Sequence, residues 1–239
     1  MEGALSRLIL IDAANFMTVF KKVLTDYASP YERRKNAFHI IPVVEYFVSR
    51  GYTVRVCVAD YALHSHGTQC AQLLKELKAM GLIAVPLENG RERDDRAMLA
   101  CAADYGAIVL SCDKFRNHPD FKKITNRYVV GYERQKCSPN PDVTNNFGIE
   151  CNYIFRLEGK SFFALPSDSD YANVQKSHKD FPAISPENLR RLELMAFYLQ
   201  CDICSKIGAS LPEGADFLDP EKSFPTNFYQ FEKAANRRP

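Results

Sequence analysis

Residues 94–113 read DDRAMLACAADYGAIVLSCD. Asp95–Tyr105 carries its apolar side chains at helical spacing, the pattern of a helix with one buried stripe. Gly106 follows, at the point where a left-handed C-terminal cap is needed. Ala107–Leu110 is then an apolar run of strand length, and Asp113 lies just beyond it. The stretch is thus a helix, a cap and a buried strand, with acids at both ends. Such a unit is the repeating half of a parallel α/β sheet.

Working outward, the unit recurs. Further strand-length runs are Leu8–Ile11, Thr53–Val58, Leu82–Val85 and Arg127–Val130. Between them, Asn36–Arg50 and Gln69–Met80 have helical periodicity and end at Gly51 and Gly81. The expected fold is α/β, a Rossmannoid parallel sheet sandwiched by helices, over residues 1–150. After about Pro139 the texture changes. Ser138–Gly148 (SPNPDVTNNFG) is a loop by composition. Cys151–Leu157 and Ser161–Leu165, flanking Glu158-Gly159-Lys160, predict a hairpin. Residues 166–185 are polar, and Ser185-Pro186-Glu187 opens a helix over Asn188–Lys206 with proline in its first turn. The last stretch carries several prolines and predicts a flexible tail. Residues 151–239 are therefore expected to form a C-terminal extension of hairpin, helix and tail.

The 239 residues suffice for a core without staples. A net charge of +2, from 31 basic and 29 acidic residues, means that any nucleic-acid binding must come from local patches. No apolar run approaches a membrane span, and the start leads straight into acidic chemistry instead of a secretory signal. Several of the eight cysteines sit in apolar segments such as VRVCVAD and VLSCD. Buried, reduced thiols of this kind predict a cytoplasmic or nuclear setting.

In an open parallel sheet, ligands bind at the carboxyl ends of the strands. Asp12 ends the first strand (LILID), with Asn15 three residues on; Asp94 and Asp95 open a helix; Asp113 follows the fourth strand. All should emerge on one edge. Each has an ordinary explanation alone: Asp94 as a helix N-cap, Asp95 as a favourable charge on the helix dipole, Asp113 as a solvated strand end, Asn15 as a turn residue. Together they make a cluster of carboxylates that needs a proton or a cation between them. A hard divalent ion with oxygen ligands fits, and the chemistry implied is phosphodiester hydrolysis.

These residues carry a resemblance. ILIDAAN (Ile9–Asn15) is similar to the first-strand IDGSN motif of NYN domains in the Regnase (MCPIP) ribonucleases. Asp94-Asp95-Arg96 through Asp113-Lys-Phe-Arg-Asn117 resembles that family's DDR … GIVVSND-x-[YF]-R-D block, with the spacing kept. RYVVGYE (Arg127–Glu133) resembles its last strand. The similarity covers roughly residues 6–150. It implies a PIN-like endoribonuclease using Mg²⁺ or Mn²⁺ on single-stranded or stem-loop RNA. Asp12, Asp94, Asp95 and Asp113 fall on its catalytic acidic positions, with Asp12, Asp95 and Asp113 as metal ligands and Asn15 as a support. A homodimer or RNA-regulatory partners are implied by the resemblance alone.

There are departures. Asn117 stands where the family has an acid, and Ala13-Ala14 replaces Gly-Ser. Nothing after Cys137 supplies the three cysteines and histidine of the family's zinc finger.

Basic residues flank the acids: Arg91, Arg93 and Arg96 around the pair, Lys114 and Arg116 after Asp113, and Lys21, Lys22 and Arg33–Lys35 after the first motif. They suit an approaching phosphate chain, though solvated surface is the ordinary reading of each. Phe16, Tyr61 and Phe115 could stack on unpaired bases or belong to the core. Cys201-x-x-Cys204 lies in a helical pattern without further ligands, and His64-Ser-His66 in a loop. Neither GxGxxG nor GxxxxGK[ST] occurs, which argues against a nucleotide cofactor. The alternatives are a catalytically weakened NYN fold acting as an RNA-binding scaffold, supported by Asn117, and a phosphohydrolase of small molecules.

Overall fold

The structure, a computed structural model, describes residues 3–19, 35–64, 68–84, 93–134, 153–206 and 228. Its centre is a six-stranded sheet. The first strand to enter it is β2 (Ile9–Asp12), preceded by a short β1 (Leu5–Ser6). On one side of β2 lie β4 (Val54–Cys57) and then β6 (Ile83–Ala84). On the other lie β7 (Ile108–Leu110), β8 (Val129–Arg134) and β9 (Tyr153–Arg156). Every pairing in this sheet is parallel except β8 with β9. A separate small ladder joins β3 (Lys35–Asn36) to β5 (Thr68–Gln69) in parallel.

Strand alternation divides the core into two layers. Ile9 and Ile11 face one layer, with Val43, Val44 and Phe47 of α2 (Ile40–Val48) and Leu73 and Leu77 of α3 (Ala71–Ala79). Leu8 and Leu10 face the other, with Met98, Leu99 and Ala102 of α4 (Arg93–Tyr105). This two-faced covering is why the strands read as unbroken apolar runs. Gly51, Gly81 and Gly106 take φ of 80°, 74° and 58°, as the expected caps require.

Three helices escaped the sequence reading: α1 (Ala13–Val19), α5 (Lys122–Tyr128) and α6 (Tyr171–Asp180). Arg127 and Tyr128, expected in a strand, close α5 instead. The predicted hairpin is corrected too. Its turn exists: Lys160 N–H donates to the Leu157 carbonyl at 2.7 Å, and Glu158 and Gly159 have φ of 45° and 81°. Its arms, however, pair elsewhere. β9 adds to the edge of β8, and β10 (Phe163–Ala164) pairs antiparallel with β1. A six-residue edge strand offers β9 a longer ladder than the two residues of β10 could.

The final helix, α7 (Pro186–Lys206), begins at the proline that marked it. It packs against α2, and its Leu192, Met195 and Tyr198 complete the first core layer. Residues beyond 150 thus contribute to both the sheet and the core. The 138–148 loop lies outside the described residues, as does the expected tail apart from Phe228. That residue is fully buried, its ring edge-on to Tyr198 with centroids 5.7 Å apart. Cys201 is buried in the helix that carries it. No described helix is long and apolar enough to cross a membrane.

Candidate active site

A cleft of about 400 Å³ opens at the carboxyl ends of β2, β4 and β7. Asp12, Asp94, Asp95 and Asp113 all line it. Asp12 is the last residue of β2 and also the N-cap of α1. The Asn15 N–H donates to its Oδ1 at 3.0 Å, satisfying one free donor of the helix start. The Ser111 hydroxyl donates to its Oδ2 at 2.7 Å. Only 8% of Asp12 is exposed. Burial pushes its carboxyl up to about 6 against these two hydrogen bonds, with smaller upward pushes from the charges of Asp95 and Asp113.

Asp94 and Asp95 occupy the first turn of α4, where the helix dipole favours anions. Both are nevertheless raised, first by burial. Lys35 on the cleft wall holds Asp94 down in part, and His118 does so for Asp95, while Asp113 pushes Asp95 up. His118 is 3% exposed, with its Nε2 3.5 Å from Asp95 Oδ2.

Asp113 is presented by a shaped loop. Its N–H donates to Ser111 Oγ, and its Oδ1 accepts from Phe115 N–H, both at 3.0 Å. Phe115 takes φ of +47°, unusual for a bulky residue, and is held there by a side chain 2% exposed among Leu10 and Tyr128. Asn15 ties the parts together. Its Oδ1 accepts from the Cys112 N–H at 3.0 Å and the Tyr132 hydroxyl at 2.6 Å, linking α1, the loop after β7, and β8.

The acidic residues singled out in the sequence are therefore brought to one cleft, while the basic and aromatic candidates divide. Lys35 lines it. Arg96 is exposed and lies over the Phe121 ring, 5.6 Å from its centroid. Lys114 lines an adjoining groove, and Arg116 is exposed outside the cleft lining. Arg91 and the Arg93 side chain lie outside the described residues, as do Lys21, Lys22, Arg33 and Arg34. Tyr61, 57% exposed, stands on the cleft wall. Phe16 and Phe115 cannot stack on a base: both are core, Phe16 face to face with Tyr132 at 3.9 Å. Asn117 does not line the cleft; its Nδ2 lies 3.2 Å from His118 Nε2. His64 is exposed beside Asp60, at 3.7 Å. Ser111, His118 and Tyr132 were missed. Ser111 and Tyr132 stand inside the recognised motifs and His118 directly after one, but nothing in their spacing announces a contact with Asp12, Asp95 or Asn15.

The model of the Zc3h12a-like Ribonuclease NYN domain matches residues 5–146, more than half of the chain. The chain belongs to that family. Curated proteins yield no match. The match takes in the cleft-lining residues from Asp12 to Asp113, the Asn15 latch and the strands through β8. β9 and α7 lie after residue 146, outside the matched residues. A mostly parallel sheet covered by helices is the architecture expected of this PIN-like family, and membership carries a ribonuclease role.

The donor set of this NYN cleft is made of carboxylate oxygens, suited to a hard divalent ion. Among the described residues, no three His, Cys, Asp or Glu side chains stand close enough to form a ready-made ligand cage. Mg²⁺ commonly takes one or two carboxylates and completes its shell with water, so the residues fit an ion held in that open manner.

Proposed function

We propose that this protein is a divalent-metal-dependent endoribonuclease that hydrolyses the backbone of single-stranded RNA in the acidic cleft. One observation carries the reading. Asp12, Asp95 and Asp113, far apart in the chain, share a single cleft, and each of the first two is raised in part by the charge of another. Lys35 is the one lysine or arginine on the cleft wall among the described residues. Such a pocket gains from an added cation.

Asp12, Asp95 and Asp113 would hold the ion, Mg²⁺ or Mn²⁺, one or two of them directly and the rest through its waters. When bound, it supplies charge neutralisation at the scissile phosphate and an acidified water. The chain's own groups do the positioning. Ser111 and the Asn15 N–H fix both oxygens of Asp12, so the carboxylate cannot turn away from the cleft. The turn at Phe115 holds Asp113 on the opposite lip. Asp94 and Lys35 face the same space as a balanced pair that can meet a flanking phosphate through the lysine. Tyr61, largely exposed, presents its ring on the cleft wall, with Val58, Ala59 and Ala62 also in the lining. An unpaired base can stack there, a contact worth about 1–3 kcal/mol, whereas a paired base cannot turn into it. This favours single-stranded RNA.

The test is a cleavage assay on labelled single-stranded RNA and DNA with Mg²⁺ or Mn²⁺, with and without chelator. RNA should be cut, chelator should stop it, and Asp95→Asn should lose at least ~100-fold in rate, as expected if the metal-assisted route is removed. Tight RNA binding by the wild-type protein with no metal-dependent cutting would transfer the assignment to an RNA-binding scaffold.

A further inference from the structure

Asp113 lines two spaces. One is the acidic cleft; the other is a groove of about 610 Å³ that runs from the same lip between α5 and the β8–β9 ladder. The two therefore adjoin at the residue proposed to hold the metal. Their chemistry is opposite. The cleft is lined by four carboxylates and one lysine, whereas the groove is lined by Lys114, Arg156 and Lys160 against Asp113 and Glu158. Once Asp113 is engaged by a cation, the remaining balance in the groove is positive. Gly131 leaves the β8 side open: a Cβ there would meet only Arg156 Cδ, at 3.9 Å. Thr125 and Asn126 of α5 offer uncharged hydrogen-bonding groups along the opposite wall.

Arg156 is paired with Glu133 at 2.8 Å, but both side chains are at least half exposed. Such surface pairs are weak and exchange readily for a phosphate partner. Lys160 also borders the next hollow along, where Arg127 is already paired with Asp170 at 3.1 Å.

We propose that this groove is the track of the RNA strand on one side of the cleavage point, with Arg156 and Lys160 as phosphate-binding residues. Both lie beyond residue 146, outside the matched family domain. The chain after the NYN domain thus has a substrate-binding role: β9 closes the sheet edge and, with the turn after it, supplies the cationic wall of the track. A strand that occupies it must be longer than the few nucleotides the cleft alone can hold. The proposal rests on the ribonuclease reading and deepens it.

The experiment uses the full chain carrying Asp95→Asn, so that binding is read without turnover. Affinity for a labelled uridine trinucleotide and for a twelve-nucleotide oligouridylate is measured across a salt series, with Arg156→Glu/Lys160→Glu and with Lys160→Glu alone. Lys160→Glu leaves the β9 ladder untouched, and thermal melting checks that both variants fold. The longer probe should bind the parent more tightly than the trinucleotide. The double variant should lose about tenfold or more on the longer probe, less on the trinucleotide, and its salt slope should fall by ~0.7 per lost phosphate contact. The single variant should show a smaller loss in the same direction. Equal affinity and salt slope for the longer probe in parent and folded variants overturns the track. If wild-type protein cuts RNA while those affinities are equal, the track alone fails; if wild-type protein neither binds nor cuts RNA, the ribonuclease reading fails with it.

Discussion

Asp12 and Asp170 are buried alike, at 8% and 5% exposure, and their environments are opposite. Asp170 sits at the amino-terminal side of the sheet with cations around it. Arg7 Nη1 donates to its Oδ2 at 2.8 Å and to the Gly106 carbonyl at the same distance, the Tyr128 hydroxyl donates to it at 2.8 Å, and Arg127 Nη2 stands 3.1 Å from its Oδ1. Burial would raise this carboxyl, but those hydrogen bonds and charges outweigh burial and hold it below its ordinary value. Asp12 receives only two neutral donors, so burial wins and, with smaller pushes from the charges of Asp95 and Asp113, raises it to about 6. A buried acid whose partners are all supplied by the chain is structural. One whose charge the chain leaves uncompensated is set up for something that arrives from outside. Equal burial therefore says nothing about role; the sign of the shift separates the two.

The comparison breaks most visibly at Asp170. Asp170→Ala leaves the Arg7 guanidinium buried without its main partner, and loss of one member of a buried pair costs about 3–5 kcal/mol. The variant should unfold at markedly lower urea concentration at neutral pH, in chelator or in Mg²⁺ alike. A loss below ~1 kcal/mol, the range of a surface pair, would mean that the network is solvent-accessible and the contrast with Asp12 is false.

Asp12 should respond with the reverse sign. Its folded value lies above its ordinary value of 3.8, so its contribution to stability is complete below about pH 4 and is lost as pH rises through about 6. That difference corresponds to about 3 kcal/mol. In chelator at pH 7, Asp12→Asn should therefore be more stable than wild type by up to that amount, with the advantage vanishing toward pH 4. Asparagine keeps an oxygen for the Asn15 N–H, and the Ser111 hydroxyl can rotate to accept. Asp170, with its lowered value, contributes in the other direction: its stabilisation is present at neutral pH and fades on acidification. Parallel melting-temperature profiles for wild type and Asp12→Asn from pH 4 to 7 would refute the uncompensated charge at Asp12.

The Asp12 side of this contrast was legible before any coordinates, and the Asp170 side was not. Asp12, Asp94, Asp95 and Asp113 could be placed because strand length, helical period and Gly106 fix where each element ends, and a parallel sheet brings strand ends to one edge. The partners could not be placed, since a hydrogen bond from Ser111 or Tyr132 depends on register between strands that no local pattern encodes. Phe16 and Phe115 were ambiguous for the same reason: an aromatic beside an acidic motif looks alike in sequence whether it points to solvent or core. The missed helices α1 and α5 are seven residues each, too short to display a periodic stripe. α1 depends on the Asp12 cap, and α5, KKITNRY, on packing against α4. The false hairpin had a true turn, but edge pairing with β8 and β1 is a tertiary decision.

The smallest expected effect tests how far the uncompensated region extends. Asn117 occupies a position where an acid would add a further negative charge. Its side chain is exposed, does not line the cleft, and lies against His118 Nε2 at 3.2 Å. A carboxylate introduced there meets the imidazole first. It would compete with Asp95, 3.5 Å from the same nitrogen, before it reached an ion between Asp12, Asp95 and Asp113. Asn117→Asp should accordingly change the Mg²⁺ concentration needed for half-maximal thermal stabilisation by less than about tenfold, that is less than ~1.4 kcal/mol. A larger tightening would bring residue 117 into the metal's own shell. The region of unmet negative charge would then include the loop after β7 as far as Asn117, and the asparagine itself would become a reason for weakened catalysis.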